Sequence, residues 1–425
     1  MNEKYINSLP VIKKKLELSI LLVLLIVFFV SDDTVTFGTN NNQIFIVVKY
    51  IVYIFSSGIL FLSLNFGEKI LVLSSKEIAI IFLLVFTFIS TVVFNFDFRA
   101  GYFLQLLTLL FAVLIVKYVD FDIFVSYFNK ILYKLSIISL VVLVIAFTLP
   151  NLLAPFPTTV NFGDTTFKNL IVCAVFTETS FLRNTSIFRE PGVYVIYLLF
   201  GVIIELFYNV NINKRHISVF VISIITTLST SGIFILLLLL IGYMFKVNKT
   251  EIYVKVILLL VLCGSLLFVL PDFSSLFFSK MDADSSDYVS TLARLSSFSV
   301  PFYIFFNNPI FGVGLSNFVK LYSIYSIELF GVFIDPESSS TNTIINTFAI
   351  FGLAYGILLV YSFFKVSRRL VTKSRLAKII VLISFLMMFS TQEMRYSLFL
   401  NVLMMYGLLN ENLKRQIVKS NQFLI

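Results

Sequence analysis

The chain has no tryptophan, one histidine and two cysteines in 425 residues, and only 13% of it is charged. Cys173 and Cys263 cannot build a disulfide framework or a four-ligand metal cluster, and a lone His216 excludes most zinc sites and histidine-base schemes. Chemistry on this chain therefore falls to carboxylates, hydroxyls, lysine and arginine. Charge is also too scarce for a water-soluble domain, which runs at about 25% charged and about 45–50% apolar residues. Here 59% is apolar, with 50 Phe and 20 Tyr, so most of the surface must face hydrocarbon.

A bilayer core about 30 Å thick takes roughly 20 apolar residues per helix. Apolar runs lie near 16–30, 44–63, 78–94, 102–117, 135–149, 192–209, 217–230, 232–245, 256–270, 342–364, 379–392 and 396–410. They predict an all-α integral membrane protein of about twelve spans forming a single domain over 1–425. The pair 217–230 and 232–245 also fits one bent hairpin turning at Ser229-Thr230-Ser231-Gly232. The first run follows Lys13, Lys14 and Lys15 without a small-residue cleavage site, and reads as an uncleaved anchor.

Basic residues of short loops stay on the cytoplasmic side. With both ends inside, cytoplasmic segments hold 23 of the 32 Lys and Arg, outer segments hold 8, and Lys49 lies within the second span, from where it can snorkel outward. The net charge of +9 is thus an insertion signal, and nucleic acid is not implied. The expected chain crosses a membrane many times, with both ends on the cytoplasmic side and function on the outer face.

Two outer segments, 150–191 and 271–341, far exceed the few residues a helix connection needs. The second contains Asp282, Asp284 and Asp287, which lack the glycine and distal glutamate of a calcium loop, and then a stretch at 291–318 that reads as an interfacial amphipathic helix followed by a tight turn. Five of the eight outer cations are arginine (Arg99, Arg183, Arg189, Arg294 and Arg395), against five of 23 inside. Arginine offers a planar fork that grips phosphate oxygens and holds its charge in a low dielectric, so this bias fits a phosphorylated lipid. Arg189 stands in FREPGVY (188–194), where Glu190 suits a helix cap and Pro191 the first turn, whose free amides also attract anions. Asp335 and Glu337 lie at the mouth of the tenth run.

Three strings, FREPGVY, NNPIFGVGLSNF (307–318) and STNTIINTFAIFGLAYG (340–356), together resemble the O-antigen polymerase and ligase superfamily, in particular its polymerase (Wzy-type) branch. The resemblance covers roughly 180–364. It implies a GT-C-like membrane glycosyltransferase that needs neither cofactor nor metal and works on sugars carried by undecaprenyl diphosphate. Chain-length regulator and flippase proteins are then expected partners. In that family outer arginines are thought to hold the diphosphate, and the segment before the NPIFGVG-like string carries one of them, which here is Arg294. The ligase branch carries a histidine where this chain has Thr341-Asn342, which argues for a polymerase. Arg189 and Arg294, assisted by Arg183 or Arg395, are the expected diphosphate ligands. Glu190, Asp335 and Glu337 are the candidate general bases, in no order that the sequence fixes. The competing readings are a lipid-linked oligosaccharide flippase or other transporter, and a ligase-type transferase.

Overall fold

The computed structural model describes residues 19–38, 43–66, 73–160, 166–170, 172–176, 182–246, 286–372 and 374–409. In chain order the helices are α1 (Ser19–Phe29), α2 (Val35–Gly38), α3 (Gln43–Phe66), α4 (Ser75–Asn95), α5 (Ala100–Tyr118), α6 (Phe121–Thr148) and α7 (Pro191–Ile203). After a π turn at Ile204–Tyr208 come α8 (Lys214–Thr226), α9 (Thr230–Lys246), α10 (Ser286–Asn307), α11 (Gly314–Phe330), α12 (Pro336–Ser339), α13 (Thr343–Leu370), α14 (Arg375–Ser390) and α15 (Leu398–Leu409).

Among the described residues, six helical segments are long and apolar enough to cross a membrane: 44–64 of α3, then α4, α5, α6, α7 with its π turn, and α13. The chain is therefore a mostly helical membrane protein. Three shorter apolar helices, α1, α9 and α15, accompany them. The run expected at 256–270 lies outside the described residues.

Burial sorts the helices into centre and rim. The α7 segment is 89% buried, and from Val193 to Ile203 every side chain is apolar or tyrosine, so it can be surrounded on all sides. By contrast α3 is 22% buried and turns Ile44, Ile51 and Phe55 outward, as a helix facing lipid does. Around α7 the rings of Phe128, Tyr197 and Phe399 stack with centroids 4.5–6.0 Å apart, joining α6, α7 and α15.

Three expectations need correction. The apolar run at 135–149 becomes a helix that starts at Phe121, because Phe121, Phe124, Phe128, Ile131, Leu132 and Leu135 recur at helical spacing and are buried through a segment where Asn129, Lys130 and Lys134 interrupt the apolar count. The all-α expectation fails in the first long loop. There β1 (Thr158–Val160), β2 (Thr166–Asn169) and β3 (Ala174–Phe176) form an antiparallel sheet in the order β1-β2-β3, with Thr158 opposite Lys168 and Phe167 opposite Phe176. Phe167 and Ala174 pack on Val35 of α2, and Cys173 and Val175 pack on Val142 and Ala146 of α6. The second long loop is largely helical where described, since α10, α11 and α12 all fall within 271–341.

The strings NNPIFGVGLSNF and STNTIINTFAIFGLAYG meet backbone to backbone. Gly352, inside α13, has φ of 79° and ψ of −173° and breaks the helix there; Gly312 has φ of 66°. A Cβ on Gly352 would lie 2.1 Å from the Ile310 carbonyl oxygen, and one on Gly312 would lie 2.3 Å from that of Ile350. The pair is closed by Leu353 N–H donating to the Pro309 carbonyl at 2.8 Å and Val313 N–H to the Ala349 carbonyl at 2.9 Å. Only glycine tolerates both the positive φ and the close approach. This contact fixes the turn after α10 against the helix that leads to the site.

Candidate anion site

At one end of the bundle the turn after α1, the loop before α7, the start of α13 and the connection 391–397 come together. Arg189 N–H donates to the Asp33 carbonyl at 2.9 Å and Val35 N–H to the Ile187 carbonyl at 3.0 Å, so the two segments pair like a short ladder. Glu190 stands at the cap position of α7 with extended backbone, and Pro191 opens the helix as expected. Its carboxylate makes no capping hydrogen bond and is exposed, so the sequence expectation holds for the position and fails for the cap itself.

The Arg189 guanidinium donates to the Glu393 carbonyl, while its Nε is buried without a hydrogen-bond partner. Arg395 lies two residues beyond Glu393. Its Nε is 3.5 Å from Glu393 Oε1, its guanidinium sits 5.0 Å from the Tyr396 ring centre, and its Nε and Nη1 are buried without hydrogen-bond partners. Burial works against the charge on Arg395, but Glu393 and the hydroxyls of Tyr396, Tyr102 and Tyr355 outweigh it and hold the group above its ordinary value. Buried donors are nearly always satisfied, so unsatisfied guanidinium nitrogens on two neighbouring arginines define an anion-seeking site.

The start of α13 holds that connection in place. Asn342 caps α13 by accepting from Ile345 N–H at 3.1 Å; the Thr343 hydroxyl donates to the Gln392 carbonyl at 2.5 Å and accepts from Met394 N–H at 2.7 Å. Asn346 donates to the Glu393 carboxylate. The polar residues of the third string thus carry the loop on which Arg395 is mounted.

A second group of charges forms beside the first. Arg183 donates through Nε to the Thr227 carbonyl at 2.9 Å. Burial lowers its pKa, Glu190 raises it, and Arg294 lowers it again, which puts Arg183, Glu190 and Arg294 in one electrostatic neighbourhood. Arg294 is exposed and lines a groove with Leu295, Phe298, Ser299 and Phe330. Beyond the groove, α10 continues outward with Phe298, Phe302 and Phe306 in contact along one face, whereas Ser296, Val300 and Ile304 face inward. An outer face of phenylalanine suits an apolar environment, and a cation at the edge of an apolar groove suits an anionic amphiphile.

The remaining sequence candidates are less central. Asp335 is exposed and acts on Tyr322 of α11, whose hydroxyl is 3.0 Å from that of Ser296. The side chain of Glu337, and Asp282 and Asp284, lie outside the described residues. Arg99 is exposed and donates to the Ser316 hydroxyl at 2.8 Å. His216 is at the other end of the bundle, 2.7 Å from the buried Glu205 carboxylate, which also accepts from Asn129 and Asn209.

Several site residues were missed from sequence. Lys49 does not snorkel: it is 1% exposed and pairs with Asp32 across the α1–α3 connection. Asp33, 1% exposed, accepts from the hydroxyls of Tyr197 at 2.6 Å, Ser397 at 2.5 Å and Ser31 at 3.2 Å, tying the first turn to α7 and to the Arg395 loop. Burial raises its pKa, partly offset by the Ser397 and Tyr197 hydroxyls and by Arg189, while Asp32 adds to the rise. Asp97 accepts from Ser316 N–H at 2.7 Å and from the Tyr102 hydroxyl at 2.9 Å, capping α11 from a distant part of the chain. The one signal for Asp32 and Asp33 was an acidic pair directly after the first apolar run. Glu393 was visible only as a carboxylate in a short connection.

No protein-family model matches the chain, and no curated protein matches it.

Proposed function

We propose that this chain is a polysaccharide polymerase of the Wzy type, which transfers a glycan from undecaprenyl diphosphate to a sugar hydroxyl of a second lipid-linked repeat on the outer face of a bacterial cytoplasmic membrane. The observation that carries the reading is the pair of arginines, Arg189 and Arg395, with buried nitrogens that lack hydrogen-bond partners, set beside the Arg183 and Arg294 group at an apolar groove. A lipid diphosphate supplies both parts: oxygens for the guanidinium forks and a chain for the groove.

On this reading about twelve spans form a GT-C-like frame, and the segments 150–191 and 271–341 lie on the outer side. The diphosphate is the leaving group, and its growing charge is met by Arg189 and Arg294, with Arg183 and Arg395 assisting. A carboxylate takes the acceptor proton, and single displacement inverts the anomeric centre. Glu190, Asp335 and Glu337 remain sequence candidates for that proton. No nucleotide sugar or metal is needed, because guanidinium charge serves at the diphosphate. A flippase would deliver the repeat and a chain-length regulator would end growth.

The purified protein, given diphosphate-linked repeats, is expected to lengthen them without ATP, read as a ladder of products on a gel. Repeats accumulating on the inner leaflet of a deletion strain, with no lengthening by the purified protein, would instead favour a flippase; accumulation on the outer leaflet fits the polymerase.

A further inference from the structure

Guanidinium groups that share a buried site repel one another and need a counter-charge to stay ionised and in place. Among the described residues, Glu393 is the one whose hydrogen bonds and ion pairs reach both Arg189 and Arg395. Its carbonyl accepts from the Arg189 guanidinium. Its Oε1 accepts from the Arg395 backbone N–H at 3.0 Å and lies 3.5 Å from Arg395 Nε. Burial works against the Arg395 charge, and Glu393 is the strongest of the groups that oppose it.

Glu393 is itself held from several sides. Asn346 donates to its Oε2 and to the Ser340 carbonyl at 3.2 Å. The Thr343 hydroxyl holds its two chain neighbours, Gln392 by the carbonyl and Met394 by the N–H. The Gln392 side chain lies against the first turn of α7, where a Cβ on Gly192 would come 2.3 Å from its Nε2. With Glu393 so fixed, its position sets the spacing of the two guanidiniums. Its carboxylate also supplies charge without using up the donors, since Arg395 Nε and Nη1 and Arg189 Nε keep no hydrogen-bond partner. Diphosphate oxygens can take those nitrogens while Glu393 stays where it is. Once bound, the diphosphate stands next to a carboxylate of like charge, and the repulsion loosens its hold. A leaving group has to be held during transfer and released after it, and slow release of product limits many enzymes.

We infer that Glu393 is the positioning residue of the diphosphate site: it spaces Arg189 and Arg395, and its charge lets the diphosphate leave. The inference deepens the polymerase reading above and rests on it.

The test compares wild type, Glu393→Gln and Glu393→Asp, purified in detergent, titrated with inorganic pyrophosphate in a calorimeter and assayed on diphosphate-linked repeats, with folding followed by thermal melting. Glu393→Gln keeps the length of the side chain and one accepting oxygen and loses the charge. Its Kd for pyrophosphate is expected to fall about tenfold, because one like charge close to the anion is gone. Its kcat and KM should fall together as release slows. A glutamate that only braces the loop would give the opposite sign, weaker binding with a lower melting temperature. Should Glu393→Gln fail to fold, Glu393→Asp keeps the charge but draws the carboxylate back by about 1 Å, and is expected to lose about 10²-fold in kcat with a pyrophosphate Kd within about threefold of wild type. A folded Glu393→Gln that binds pyrophosphate no tighter than wild type, or a folded Glu393→Asp with wild-type kcat, would overturn the role of Glu393 and leave the polymerase reading intact. Wild type that binds pyrophosphate but never lengthens the repeats would overturn the polymerase reading, while the Glu393→Gln titration still decides the effect of the charge. Wild type that binds no pyrophosphate would overturn both.

Discussion

Replacing Arg189 or Arg294 by alanine is expected to stop chain lengthening in cells while protein level in the membrane stays normal. The magnitude follows from what each side chain does. Removing one preorganised donor from a developing negative charge costs about 10²–10³-fold in rate, and two such donors serve one leaving group. Arg294 is exposed, so its loss removes no buried partner and should not affect folding. Arg189 donates to the Glu393 carbonyl, so its variant loosens the 391–397 loop as well and should show the larger defect of the two. Lysine in place of Arg189 is expected to restore only part of the activity, because it keeps the charge and loses the fork. Normal glycan length with both arginines replaced would remove the mechanism.

The second large effect concerns the fold. Gly352→Ala places a Cβ 2.1 Å from a backbone carbonyl oxygen, at a positive φ, and neither the Ile310 nor the Gly352 backbone can move without breaking the bonds from Leu353 to Pro309 and from Val313 to Ala349. The expected result is loss of folded protein from the membrane. Gly331→Ala is the matched control: φ is 71° there too, but nothing lies within 4 Å of the added Cβ, so the cost is limited to the backbone strain of about 1 kcal/mol and the protein should accumulate normally. Equal accumulation of both variants, measured by immunoblot of membranes, would contradict the close backbone contact as a requirement of the fold.

Apolar runs located most of the described helices, because hydrocarbon imposes length and composition on each one. They failed at α6, where the inward face keeps a helical period through a stretch interrupted by Lys130 and Lys134, and in the first long loop, where strands of three and four residues leave no periodic trace. The turn after α10 was legible in Pro309, Gly312 and Gly314, but its partner Gly352 was not, since a glycine within an apolar run has many uses. At the site, the arginines stood out because their frequency differs between the two sides of the predicted topology. The acids that orient them did not. Asp33, Asp97 and Glu393 bind groups 164 to 364, 219 and 47 positions away, and only the folded chain reveals those partners. Lys49 was misjudged for the same reason, because its counter-ion lies on the preceding turn and no periodicity links the two.

The most direct test is photo-crosslinking with a polyprenyl diphosphate that carries a diazirine near the headgroup, followed by peptide mapping. The account predicts label in α10 around Arg294 and in the loop from Arg183 to Arg189. Label confined to the opposite end of the bundle, around Arg368 and Arg369, would contradict it.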